Sequence, residues 1–139
     1  HLVGGHPDEF AAMLRPLDHA VGVCLDTSHA TLAHHWDALL RVAGPRLAHV
    51  HLSDHHGHTD DHLPPGDGVI DWTMIRDSLV DVGFAGWLVL ELSCPSGPLA
   101  ECVSTALRRT HQLFDPEGHG PSLARPASGQ PSPPQRGPV

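Results

Sequence analysis

The chain has 139 residues, enough for one ordinary domain, with 40% hydrophobic residues and no apolar run near the roughly 20 residues that span a bilayer. Its formal net charge is -8, with eight Arg and no Lys. That balance argues against a nucleic-acid partner held by bulk electrostatics, which needs a basic surface.

The N-terminal stretch HLVGGHPDEF has neither the basic start nor the apolar middle of a secretion signal, and its first residue is not Met. The chain therefore reads as an excerpt or a processed product. Within it, HPDEFAAMLRPL has the pattern of a short helix with Pro7 in its first turn. AVGVCLD is a strand-length, β-branched run. TLAHHWDALLRVAG reads as one helix, with Leu32, Trp36, Leu39 and Leu40 on one face and Gly44 at its stop. LAHVHL is a second strand. DWTMIRDSLVDVG reads as a helix capped by Asp71 and ended by Gly83. GWLVLEL is a third strand. PLAECVSTALRRTHQLF is a closing helix opened by Pro98, with Leu99, Val103 and Leu107 spaced for one face. Residues 115–139 hold half of the fourteen Pro and almost no large apolar side chains, the composition of a disordered tail.

Strand and helix alternate as in parallel βα units. Side chains alternate across a strand, so Val21, Val23 and Leu25 share a face, as do Ala48, Val50 and Leu52, and Leu88, Leu90 and Leu92. Each opposite face ends in an ionisable residue: Asp26, His51, Glu91. An aliphatic helix-facing side and polar residues at the C-terminal rim are the pattern of a (β/α) barrel, and an open doubly wound sheet is the alternative. A carboxylate in LVLEL needs a partner. The mixed O and N donors suit Mn, Mg, Co or Zn; a hydrogen-bonded polar cluster at the barrel mouth is the other reading.

Three motifs in order carry a family resemblance. VGVCLDTSHA resembles the DTxH strand end of the xylose isomerase-like TIM barrels, a superfamily of sugar isomerases, sugar epimerases and the endonuclease IV type of DNA repair enzyme. HVHLSD followed by DDHLPPGDGVIDW resembles its next strand and glycine-containing loop, and GWLVLEL its last strand with a ligand Glu. The resemblance implies an α/β fold: the C-terminal part of a (β/α)8 TIM barrel, about three βα units over residues 1–114, followed by the tail. It implies Asp26, His51 and Glu91 as metal ligands, with Glu91 also in proton transfer. It implies that His29 faces substrate or a second metal. Asp60 and His62 match the place where the endonucleases carry an Asp-x-His pair of zinc ligands; in the sugar enzymes that loop contacts substrate. Asp54 is either a supporting partner of the metal site or a turn residue. His49 lies deeper in the barrel. His55, His56 and His58 are read as solvated loop, and His19, His34, His35 and His111 as surface or internally satisfied.

The expected activity is that of a divalent-metal-dependent sugar, sugar phosphate or keto-polyol isomerase or epimerase. Chelation of two adjacent substrate oxygens eases removal of a carbon-bound proton and stabilises the ene-diolate. Hydride-shift isomerisation and dehydration are variants on the same ligands. The family's fourth ligand, a Glu on a preceding strand, is missing, so these residues alone are expected to be inactive. A zinc phosphodiesterase acting on abasic DNA is a rival reading, and a non-catalytic His-rich metal-binding module another, given fourteen His. Three scattered cysteines without a CxxC fit a reducing, cytoplasmic compartment better than a disulfide scaffold. Homo-oligomerisation is an open expectation.

Overall fold

The computed structural model describes residues 5–94 and 97–115. Helix α1 (Pro7–Leu14) leads into strand β1 (Val23–Asp26), helix α2 (Thr27–Leu32), helix α3 (Trp36–Ala43) and a short 3-10 turn (Gly44–Arg46). Strand β2 (Leu47–Leu52), helix α4 (Trp72–Asp81), strand β3 (Trp87–Leu90) and helix α5 (Leu99–Phe114) follow. The three strands form one parallel sheet in the order β1-β2-β3. The tail from residue 116 lies outside the described residues.

The aliphatic strand faces build the core. Val23, Leu25, Val50 and Leu52 are buried against Trp36, Leu39, Leu40 and Ala43 of α3 and Trp72, Ile75 and Leu79 of α4. Side chains of this size each contribute about 1.5–3 kcal/mol when fully buried, so these residues hold the helices on one side of the sheet. Trp36 Nε1 adds a hydrogen bond to Ser78 Oγ (2.8 Å), joining α3 to α4. On the other side of the sheet Cys24, His49, Trp87 and Val89 are exposed. Arg46 anchors the α1–β1 connection by donating to the carbonyl oxygens of Leu14, Asp18 and Val21.

Four expectations need correction. The segment TLAHHWDALLRVAG forms two helices. α2 starts four residues early, at Thr27, because the Asp26 carboxylate caps it directly after β1. It ends where His34 takes a φ of 57° and the amides of His34 and His35 donate back to Thr31 O and Ala30 O. That is a Schellman-type stop with histidine in the left-handed position that glycine usually fills. On α5, Leu99 and Leu107 are exposed, while Ala106 is buried. The face turned inward runs through Cys102, Ala106 and Arg109, because Cys102 is disulfide-bonded to Cys94 and Arg109 bonds the β2–α4 loop. That disulfide also corrects the view of the cysteines: two of the three are paired and Cys24 alone is free. Val21 precedes β1 and is exposed rather than packed under helices. Among the described residues, no helix is long and apolar enough to cross a membrane.

Candidate metal centre

Parallel register delivers the first group of side chains. Asp26 pairs with His51 across β1 and β2, and Leu52 pairs with Leu90 across β2 and β3. β3 closes at Leu90, but Glu91 N–H still donates to Leu52 O (3.2 Å), which holds Glu91 at the rim beside His51. Asp26, His51 and Glu91 each offer one ligand atom, all within 4.8 Å of one another. His51 Nδ1 lies 2.5 Å from Glu91 Oε2 and 3.9 Å from Asp26 Oδ2.

The two carboxylates differ in setting. Glu91 is 46% exposed, whereas Asp26 is 10% exposed. Asp26 Oδ1 accepts from His29 N–H (2.8 Å), but Oδ2 is buried without a hydrogen-bond partner. Lost solvation pushes the Asp26 carboxyl above its ordinary 3.8; Asp60 and Glu91 push the same way, and the His29 amide and ring oppose them. An orphaned buried oxygen beside an imidazole and a second carboxylate is an arrangement that a divalent cation satisfies. Cys24, on the same strand face, belongs to neither ligand group, and lost solvation pushes its thiol up from 9.0. The donors of this group are therefore carboxylate O and imidazole N.

A second group stands beside the first. His29 Nε2 lies 2.6 Å from Asp60 Oδ2, and His62 Nδ1 lies 3.5 Å from Asp60 Oδ1. His29, Asp60 and His62 also bring one ligand atom each within 4.8 Å. The groups meet where His62 Nε2 lies 3.3 Å from Glu91 Oε1. His62 adopts a φ of 53°, uncommon for a non-glycine residue, and its carbonyl accepts from Ser93 N–H (2.7 Å). Backbone strain of this kind persists only where the surroundings hold it.

What holds the β2–α4 loop was not legible in the sequence. Asp54 is fully buried and ligates nothing in either group. Its Oδ1 accepts from the amides of His55 (2.9 Å) and Ile70 (3.1 Å), and its Oδ2 from Gly66 N–H (3.0 Å) and Trp72 Nε1 (2.8 Å). Its backbone exchanges two hydrogen bonds with Leu63 (2.8 and 2.9 Å). A Cβ on Gly68 would run into Asp54 Oδ1 and His55 O, which accounts for the second glycine of PPGDG. His55 is 4% exposed, not solvated as expected. Its Nδ1 accepts from Gly57 N–H (2.9 Å), so Nε2 carries the hydrogen that goes to Thr31 Oγ1 (2.8 Å). His56 and His58 are exposed, as expected. Buried Thr27 and Ser53 exchange two hydrogen bonds (2.8 and 3.0 Å), and Ser53 Oγ donates to Ser28 Oγ (2.8 Å). DTSH and HLSD are thus fastened together beneath both groups.

The profile of the xylose isomerase-like TIM barrel family matches residues 1–113. The chain belongs to the xylose isomerase-like TIM barrel family. It is 38% identical to an uncharacterized protein of Mycobacterium tuberculosis, over 79% of this chain and 44% of that one. It is 30% identical to an inosose dehydratase of Klebsiella pneumoniae, over 60% of this chain and 34% of that one. The solved structure of a D-tagatose 3-epimerase-like protein superposes on 81% of this chain and 42% of that chain, with a TM-score of 0.67 and 22% identity. A D-psicose 3-epimerase from Clostridium cellulolyticum H10 superposes on 72% of this chain and 34% of that chain, with a TM-score of 0.52 and 26% identity. The chain spans less than half the length of these relatives.

Proposed function

We propose that this chain supplies part of a divalent-metal-dependent site that isomerises or epimerises a sugar, sugar phosphate or keto-polyol. The observation that carries the reading is the buried, unpartnered Asp26 Oδ2 facing His51 and Glu91 at neighbouring strand ends. Asp26, His51 and Glu91 would hold the ion. When bound, a divalent cation polarises a carbonyl and its neighbouring hydroxyl, which acidifies the hydrogen on the carbon between them. Glu91, the more exposed carboxylate, would take or return that proton. His62, beside Glu91, and His29, beyond it, would bind substrate hydroxyls, with Asp60 between them fixing their rings. Epimerisation, isomerisation and dehydration next to a carbonyl can all begin with this proton removal. The relatives named epimerase and dehydratase support the reading.

The test is solvent deuterium incorporation next to the carbonyl of a ketohexose or an inosose, catalysed by the full protein with Mn2+ and stopped by a chelator. Metal-dependent binding without any exchange would refute the proton-transfer role.

A second reading is favoured by one observation, the convergence of His29, Asp60 and His62 into a separate three-ligand group. Together with Asp26, His51 and Glu91 it would suit a multi-zinc phosphodiesterase acting on abasic DNA. Against it stand the net charge of -8 and the absence of Lys. Arg109, the arginine beside this loop, is occupied by Asp67 and Pro65 O. Zinc-dependent cleavage of an abasic oligonucleotide would decide for it.

A further inference from the structure

We infer that Asp54 is a positioning residue that makes the β2–α4 loop a preformed wall of the site. It does so by delivering Asp60 and His62 to His29. The inference rests on the reading of His29, Asp60 and His62 as part of the site, but not on what they bind.

The part of the loop that leads to Asp60 and His62, residues 56–60, has no large apolar side chain and is exposed. Its shape must come from elsewhere. Asp54 receives four N–H donors from three parts of the loop and from α4, and it has no ion-pair partner among the described residues. The Asp54–Leu63 backbone pair closes the excursion that holds Asp60 and His62, and Gly68 has no side chain because the carboxylate occupies that space. Charge-assisted hydrogen bonds are about twice as strong as neutral ones, and four of them converge on this one carboxylate. Further ties of the loop to the rim, among the described contacts, are Ser53 to Thr27 and Ser28, His55 to Thr31, Asp60 to His29, His62 to Glu91 and Ser93, and Arg109 to Pro65 and Asp67.

The experiment compares the full chain with Asp54→Asn by NMR without added metal. The His29 and His62 rings sit edge to face with centroids 6.1 Å apart, which predicts a ring-to-ring NOE in the wild type. Asp54→Asn turns one acceptor into a donor facing N–H groups. The NOE should vanish, and amide exchange at Gly66 and Ile70 should accelerate roughly tenfold to a hundredfold, the loss of one charge-assisted bond. Leu79→Ala, a core change remote from the loop, should lower thermal stability while keeping the NOE, which separates positioning from general destabilisation. Should Asp54→Asn not fold, Trp72→Phe removes one of the four donors and should speed exchange at Gly66 in a folded chain. An NOE retained in Asp54→Asn, or Gly66 and Ile70 amides that exchange unprotected in the wild type, would overturn the inference. Neither result depends on metal binding or turnover, so failure here leaves the proposed function standing, and the reverse holds as well.

Discussion

Replacing Asp26 with Asn should move two properties in opposite directions. Asn caps a helix as well as Asp, so the bond to His29 N–H that starts α2 survives. What disappears is a buried, unpartnered charge. The amide nitrogen that takes its place is still buried but neutral, so it costs less to desolvate and the metal-free variant should gain up to about 1 kcal/mol. For a domain near 100 residues that is roughly 4 °C in Tm. The carboxyl is pushed above 3.8 in the fold, so the native state holds its proton longer than the unfolded chain does. Metal-free wild-type stability should therefore fall as pH rises from 3.8 through the raised value, and the variant should lack that slope. With a cation the order reverses. An ion at a hundred times its Kd stabilises the wild type by about 2.7 kcal/mol. Loss of supporting partners alone weakens metal sites 10–100-fold, so loss of a ligand should weaken this one about a hundredfold or more. At the same ion concentration the gain would fall to about 0.4 kcal/mol. Thermal unfolding with Mn2+ and with a chelator reads both effects. A metal-free Asp26→Asn chain that melts several degrees below wild type, or that keeps the wild-type response to Mn2+, refutes the reasoning.

Other outcomes follow from single contacts. Gly68→Ala should cost roughly 2 kcal/mol in denaturant unfolding, since the new methyl meets the pinned Asp54 carboxylate and a backbone oxygen. Leu52→Ala should cost about 3 kcal/mol, because the side chain is fully buried in the centre of the sheet. Asp61 is held down to about 2 by the Thr59 hydroxyl and the His56 amide. NMR titration should find it ionised at pH 3, with its support of the loop present above 3.8 and lost only as pH falls through about 2. An Asp61 midpoint at the ordinary value would mean that those bonds do not form in solution.

Much of the architecture is legible in the sequence. LAHVHL is a strand at the expected residues, and Asp71 caps α4 through the amides of Thr73 and Met74. The side-chain phase of the strands puts Asp26, His51 and Glu91 on one face, and the register then brings them to one level. The split of α2 from α3 was hidden because no Gly or Pro marks it; histidine took the left-handed position. The rotation of α5 was hidden because Leu99, Val103 and Leu107 follow helical spacing as well as Cys102, Ala106 and Arg109 do. Only long-range bonds choose between two such faces. His55 and Asp54 stood in a run of polar residues whose burial nothing local announces.

Alternation with period two and apolar helix faces are local properties, set by backbone geometry and by which side chains avoid water. For that reason the sequence by itself determined the alternation of strands and helices, the buried faces of β1 and β2, and the three rim residues of β1, β2 and β3. The tertiary structure decided what depends on partners distant along the chain. It left Asp26 Oδ2 without a partner, folded Asp60 and His62 back onto His29, and buried Asp54 under four donors. A carboxylate reads the same in a sequence whether it caps, clamps or waits for a cation. Only the donors that surround it in space set its role.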